Sequence, residues 1–132
     1  MACLLIVDDD PVVQRSLARA LREHNCVTAS NGLEALECLQ VYEFDMVITD
    51  VDMPIMNGID FYRKACSVFP QLEIRFRTGS NVSGLYELGV TVLPKAWPLL
   101  DVVNHIEQML GVGNEHGNHQ GSRQALLEMG RG

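Results

Sequence analysis

A small set of side chains able to do polar chemistry falls just beyond short apolar runs. Asp8, Asp9 and Asp10 follow the run Cys3–Val7, and Asp50 follows Met46–Thr49, with Asp52 two residues on. Thr78 follows Glu73–Arg77, and Lys95 follows Thr91–Leu93. Carboxylates gathered in one place raise each other's pKa values unless a cation sits among them. Mg²⁺ suits such a set, being hard, oxygen-seeking and content to keep several waters. With a metal bound, one carboxylate can attack phosphorus, while a lysine neutralises the transferring oxygens and a hydroxyl hydrogen-bonds the product. Each piece also has a plainer reading. Asp10 before Pro11 is a helix cap, and Asp8-Asp9 alone fits a solvated loop. Thr78 alone is a strand-end residue, and Lys95 alone a surface charge. Their joint appearance at four strand ends is what points to a site.

Those ends matter only if the apolar runs are strands of one sheet. Cys3–Val7, Cys26–Ala29, Met46–Thr49 and Thr91–Leu93 are short and largely apolar, as expected of strands covered on both faces, and Glu73–Arg77 reads as a fourth strand in which charged residues alternate with apolar ones. Helical spacing lies between them. Asp10-Pro11 opens a helix with Val12, Val13, Ser16, Leu17, Ala20 and Leu21 at helical intervals. Asn31 and Glu34 resemble a capping box ahead of Leu33, Leu36 and Leu39. Ile59–Val68 and a short Asn81–Leu88 follow, and Pro98 opens a last helix with Leu99, Val102, Val103, Ile106 and Leu110 inward and Gly111 as its stop. Strands alternating with helices predict a doubly wound parallel α/β sheet, whose ligands bind beyond the carboxyl ends of the strands.

The bulk numbers agree with one domain and a tail. The chain has 132 residues, 47% of them hydrophobic, and a formal charge of −7. Residues 1–111 form the domain, and 112–132, rich in Gly, Asn and His, read as a flexible tail in which Gln124–Met129 suffices for a helical turn or two. The acidity argues against direct DNA binding and against anionic membranes. The start has no basic region, so no secretory leader is expected, and no apolar run is long enough to span a bilayer; a cytoplasmic location follows. The four cysteines (Cys3, Cys26, Cys38, Cys66) read as buried free thiols in a reducing compartment. His116 and His119 read as part of the solvated tail rather than as a metal pair.

The segments Leu-Leu-Ile-Val-Asp8-Asp9-Asp10, Val-Ile-Thr-Asp50-Val-Asp-Met53-Pro54-Ile-Met-Asn-Gly58, Arg-Thr78-Gly79 and Leu-Pro-Lys95 resemble the receiver family of two-component signalling, over roughly residues 2–110. The resemblance implies a flavodoxin-like fold with strand order 2-1-3-4-5 and helices on both faces; in this chain the fourth helix is expected to be shortened. It implies Asp50 as phosphoacceptor, and Asp8, Asp9, Asp50 and the backbone carbonyl of Asp52 as Mg²⁺ ligands. Thr78 and Lys95 would contact the phosphoryl group, and Gly79 would keep access to it open. The implied donor is a sensor histidine kinase or a histidine phosphotransfer protein. Output would pass by protein contact or phosphoryl relay to a downstream target that the sequence does not name, with homodimerisation left open.

The chain departs from that family at four places. Lys95 is followed by Ala96 rather than proline, and a cis bond before alanine would cost about 2.5–4 kcal/mol, so a trans bond is expected. Val92 stands where the family has a switch aromatic, and Trp97 is expected to pack rather than replace it. Thr78–Gly89 is short by roughly one helical turn, about 5 Å. Arg75 and Arg77 alternate with Ile74 and Phe76 in the fourth strand. Either both guanidiniums reach solvent along the strand's edge, or they form a patch for a partner or an acid. The expectation is intact phosphotransfer chemistry with an altered output face. Two other classes stay open on sequence: a receiver-like scaffold never phosphorylated, and a haloacid-dehalogenase-like phosphatase, which also uses an Asp-x-Asp pair such as Asp50–Asp52. Catalytic turnover of a phosphate ester separates the last from a stoichiometric acyl phosphate.

Overall fold

The structure is a computed structural model that describes residues 1–79 and 83–111. His116, His119, the Gln124–Met129 segment and the expected start of the fourth helix at Asn81 lie outside the described residues. Strands and helices alternate as β1 (Cys3–Val7), α1 (Pro11–Ala20), β2 (Asn25–Ala29), α2 (Gly32–Val41), β3 (Met46–Thr49), α3 (Gly58–Val68), β4 (Ile74–Thr78), α4 (Ser83–Leu88), β5 (Thr91–Pro94) and α5 (Leu99–Leu110). All neighbouring strands pair in parallel, in the order β2-β1-β3-β4-β5. No strand end departs from the sequence expectation by more than one residue, and the described α4 has six residues.

β1 is apolar throughout and β3 is apolar up to Thr49, because both their faces are covered. Leu5 and Val7 of β1 join Val47, Ile74 and Phe76 under Ala35 and Leu39 of α2, Phe61 and Ala65 of α3 and Leu85 of α4. Leu4 and Ile6 turn the other way, with Met46, Ile48 and Leu93, under Leu17 of α1 and Val102, Ile106 and Leu110 of α5. Burying each such side chain contributes about 1.5–3 kcal/mol. The inner face of α2 is centred on Ala35 and Leu39, and Leu33 is exposed. Val12, in the first turn of α1, is likewise exposed.

Local chemistry sets the helix starts. The Asp10 carboxylate accepts the Val12 N–H at 2.9 Å, with Pro11 in the first helical turn. Asn31 accepts the Glu34 N–H at 2.8 Å, but Glu34 reaches back to the Ser30 N–H rather than to that of Asn31. Asn57, not anticipated as a cap, accepts the Asp60 N–H at 2.8 Å. Gly111 ends α5 in the left-handed region with φ 76°. His24 closes the far end of the sheet: its Nδ1 accepts the Ala2 N–H at 3.0 Å, which leaves the proton on Nε2 to face Glu107 at 3.2 Å.

Two expectations need correcting. The four cysteines are free but half-buried, because each sits at the margin of the packed layers. Arg75 and Arg77, on a strand that runs between β3 and β5, are half-buried with their Nε atoms buried rather than carried out to solvent. Ile74 and Phe76 point under α2, α3 and α4, so by the alternation of a strand the arginines point to the α1/α5 side. The short α4 covers the opposite face and does not account for them. Among the described residues no helix is long and apolar enough to cross a membrane.

Ile55, in the loop after β3, has φ 70° and is 78% exposed. A β-branched side chain in the left-handed region costs about 1–2 kcal/mol, with little burial here to offset it. Ile55→Asn is therefore expected to stabilise the protein by about 1 kcal/mol. Urea unfolding checks this, and a loss of stability would show that Ile55 makes a contact outweighing its strain.

Candidate functional site

β1, β3, β4 and β5 end side by side, and the residues at or just past those ends meet. Asp8 leaves β1 with its N–H bonded to the Ala29 carbonyl, and Asp50 leaves β3 with its N–H bonded to the Val7 carbonyl. The sheet ladder thus runs into the site and holds both backbones. Asp8 and Asp50 are buried, at 3% and 7% exposure, whereas Asp9 is exposed. Carboxylate oxygens of Asp8, Asp9 and Asp50 lie within 4.8 Å of one another. The Lys95 ammonium reaches Asp50 Oδ2 at 3.0 Å and Asp8 Oδ2 at 3.6 Å. Asp50 Oδ1 accepts the Val51 N–H at 2.7 Å, and Asp8 Oδ1 accepts the Asp10 N–H at 2.9 Å.

Thr78 is buried at the end of β4, and its carbonyl accepts the Lys95 N–H at 3.1 Å, which ties the two strand ends together. Asp52 is exposed, two residues past Asp50. A Cβ on Gly79 would stand 3.7 Å from Lys95 Cβ, an ordinary contact, so the site tolerates a methyl there. No cis peptide occurs among the described residues, so the Lys95–Ala96 bond is trans, as expected. Val92 is half-buried against the α2–α4 side, and Trp97 packs edge-on to His105 with ring centroids 6.2 Å apart.

Two supporting residues were not legible as such in the sequence. A Cβ on Gly58 would lie 2.0 Å from the Asp50 carbonyl oxygen, so only glycine lets α3 start so close to the acidic centre. The Gln14 amide on α1 donates to the Asp8 carbonyl and, at 3.2 Å, to both the Ala29 carbonyl and Ser30 Oγ. Gly58 was visible as a loop marker, but its contact was not. Gln14 carried no signal, because an amide in a helix pattern looks like any surface residue.

Burial pushes the Asp8 carboxyl above its ordinary range, and the charges of Asp50 and Asp9 add to this; the Asp10 amide and Lys95 pull the other way without prevailing. Burial also works against the Lys95 ammonium, but the hydrogen bond and charge of Asp50, with the charge of Asp8, outweigh it and raise its pKa. The Lys95 contribution to stability is therefore complete at neutral pH and is lost as pH rises through its raised folded-state pKa. The Asp8 contribution has the opposite sense at neutral pH: ionising it costs stability once pH has risen through its folded-state pKa. An all-oxygen donor set of this closeness fits a hard divalent cation such as Mg²⁺, which would relieve the crowding.

The family model described as "Response regulator receiver domain" matches residues 4–91. "Response regulator receiver protein CpdR" of Brucella abortus (strain 2308) is 36% identical over 117 residues, covering 83% of this chain and 98% of that protein. Among solved structures, the chemotaxis response regulator CheY4 of Vibrio cholerae superposes with a TM-score of 0.75 at 27% identity, over 83% of this chain and 99% of the other. The response regulator TrrA of Thermotoga maritima, solved in complex with Mg²⁺-BeF, superposes with a TM-score of 0.76 over 83% of this chain and 100% of the other; at 24% identity this is a likeness of fold.

Asp8→Asn keeps an acceptor for the Asp10 N–H and removes a charge that burial disfavours. The variant is expected to melt at a higher temperature than the parent at neutral pH without metal. Adding Mg²⁺ should then raise the parent's melting temperature and leave the variant's nearly unchanged. Equal responses to Mg²⁺ would remove Asp8 from the cation site.

Proposed function

Because the chain belongs to the response regulator receiver family, we propose that it is a phosphorylation-dependent switch that accepts a phosphoryl group on Asp50. The observation that carries this reading is a buried carboxylate with an ammonium 3.0 Å from one oxygen, inside a cluster of acids at the strand ends. Asp50 Oδ forms the new bond to phosphorus as the bond from phosphorus to a donor histidine, protonated on its other ring nitrogen, breaks, and the neutral imidazole departs with the electron pair. Asp8, Asp9, Asp50 and the Asp52 carbonyl would hold Mg²⁺, which supplies charge neutralisation on the phosphoryl oxygens. Lys95, now paired with Asp50 Oδ2, passes to a phosphoryl oxygen, and the Thr78 hydroxyl donates to another. Later attack of water on phosphorus releases phosphate and regenerates the carboxylate.

The donor in this reading is a sensor histidine kinase or a histidine phosphotransfer protein, and the setting is the cytoplasm. Output passes by contact with another protein, by a homodimer, or both; the chain neither binds DNA directly nor engages a membrane. Residues 1–111 form the receiver unit and 112–132 its tail. The output face differs from the family pattern because Val92 cannot swing a ring inward and the turn after Lys95 is trans. The movement is therefore assigned to the 95–99 turn beneath Trp97. A scaffold that is never phosphorylated remains the rival reading, favoured by those same residues.

Intact mass after incubation with Mg²⁺ and a small-molecule phosphodonor tests the reading. One phosphoryl adduct is expected on the parent, none on Asp50→Asn, and none without Mg²⁺. An adduct that survives Asp50→Asn would refute the assignment of Asp50. Amide exchange with and without beryllofluoride is expected to change most at 95–99 and little at 83–93; large changes confined to 83–93 would mean an ordinary switch.

A further inference from the structure

Beside α5, on the face of the sheet away from α2, α3 and α4, β4 carries Arg75 and Arg77 two residues apart and aimed the same way. This is a place where apolar side chains are expected. Arg75 Nη1 holds Glu73 Oε1 at 2.8 Å, with its own side chain 13% exposed. Arg77 is half-buried and makes no hydrogen bond or ion pair among the described residues. Buried side-chain atoms without a partner among the described residues are Arg75 Nε, Arg77 Nε, His105 Nε2 and Glu107 Oε1, so three of these four belong to one strip. The strip is continuous. The Arg75 charge reaches His105, whose pKa is lowered by burial and then by that charge. The Trp97 ring meets the same imidazole edge-on and is 36% exposed.

A half-buried guanidinium without a counterion costs stability, and the described residues offer none to Arg77. On a chain of net charge −7 the two arginines also run against the overall sign. The planar guanidinium fork matches a carboxylate with two parallel hydrogen bonds. Trp and Arg are the side chains that dominate binding energy at protein interfaces, an aromatic giving apolar area beside a charged anchor. We propose that the Arg75–Arg77–His105–Trp97 strip docks an acidic segment of a partner protein, with a carboxylate lodged on the two guanidiniums and the neighbouring residue on the Trp97 ring. This surface goes beyond phosphotransfer and does not need Asp50 to be modified, so it stands or falls separately.

The test uses the full chain and a hexaglutamate peptide at low salt. Fluorescence of Trp97, the single tryptophan, and the Arg Nε–H resonances report binding. A saturable change in both is expected, with hexalysine giving none and sodium acetate at equal carboxylate concentration giving no saturation. Arg75→Gln with Arg77→Gln should weaken hexaglutamate by about tenfold or more, the equivalent of about 1.4 kcal/mol. Arg77→Met should bind equally poorly yet melt no lower than the parent, because it removes an unpaired charge from an apolar face. The proposal is overturned by no saturable change in the parent, by equal affinity in the double variant, or by saturation with acetate, which would mean an adventitious ion only. A lower melting temperature for Arg77→Met would equally overturn it, since the arginine would then be structural.

Discussion

Carboxylates of Asp8, Asp9 and Asp50 are crowded within 4.8 Å, and the Lys95 ammonium at 3.0 Å from Asp50 holds part of that repulsion in check. Two of the acids are buried, so water does little to screen them. Such a cluster persists only if the backbones carrying it cannot move apart. The parallel ladder meets that need, since the amides of Asp8 and Asp50 are the next donors of the sheet itself. The wholly apolar strands behind them make the ladder rigid on both faces. Repulsion stored against a stiff sheet makes the centre ready for a cation, and sensitive to anything that moves Lys95.

The surroundings extend the same logic. Gly58 allows the start of α3 to approach the Asp50 carbonyl, and the Gly58 N–H closes the loop on the Val51 carbonyl at 2.8 Å. Gly32, at the start of α2, is bonded to the Met56 carbonyl at 2.9 Å, and a Cβ there would press on Met56. The loop between β3 and α3 is thereby pinned at both sides, which accounts for its tolerating Ile55 in the left-handed region. Gln14 does the corresponding task for the loop after β1.

The two ends of the sheet are held differently. The carboxyl ends carry unbalanced charge, while the opposite end is sealed by His24 bonding Ala2 and Glu107. α5 connects them: its inner line of Val102, Ile106 and Leu110 is packed, and its flank at His105 meets the Arg75 charge and the Trp97 ring. Trp97 lies two residues from Lys95 in the chain, and its ring packs on that flank. Val92 is half-buried on the other side of β5.

Much of this was legible in the residues. Apolar runs ended by acids, a threonine and a lysine marked strands and their functional ends, because parallel strands buried on both faces leave no ambiguity of pattern. Asp10 and Asn31 declared helix starts by side-chain type alone. What pattern could not supply was contact between segments distant in sequence. Leu33 and Leu36 looked alike until packing chose Ala35 and Leu39 as the inner line of α2. Arg75 and Arg77 looked able to carry their guanidiniums out to solvent until packing half-buried both. The sequence by itself determined the strands, the fold class and the identity of the acidic residues, since these depend on periodicity and residue type. The tertiary structure alone decided the distances among Asp8, Asp50 and Lys95, the obligation at Gly58 and the face of the arginines, because each depends on which elements become neighbours.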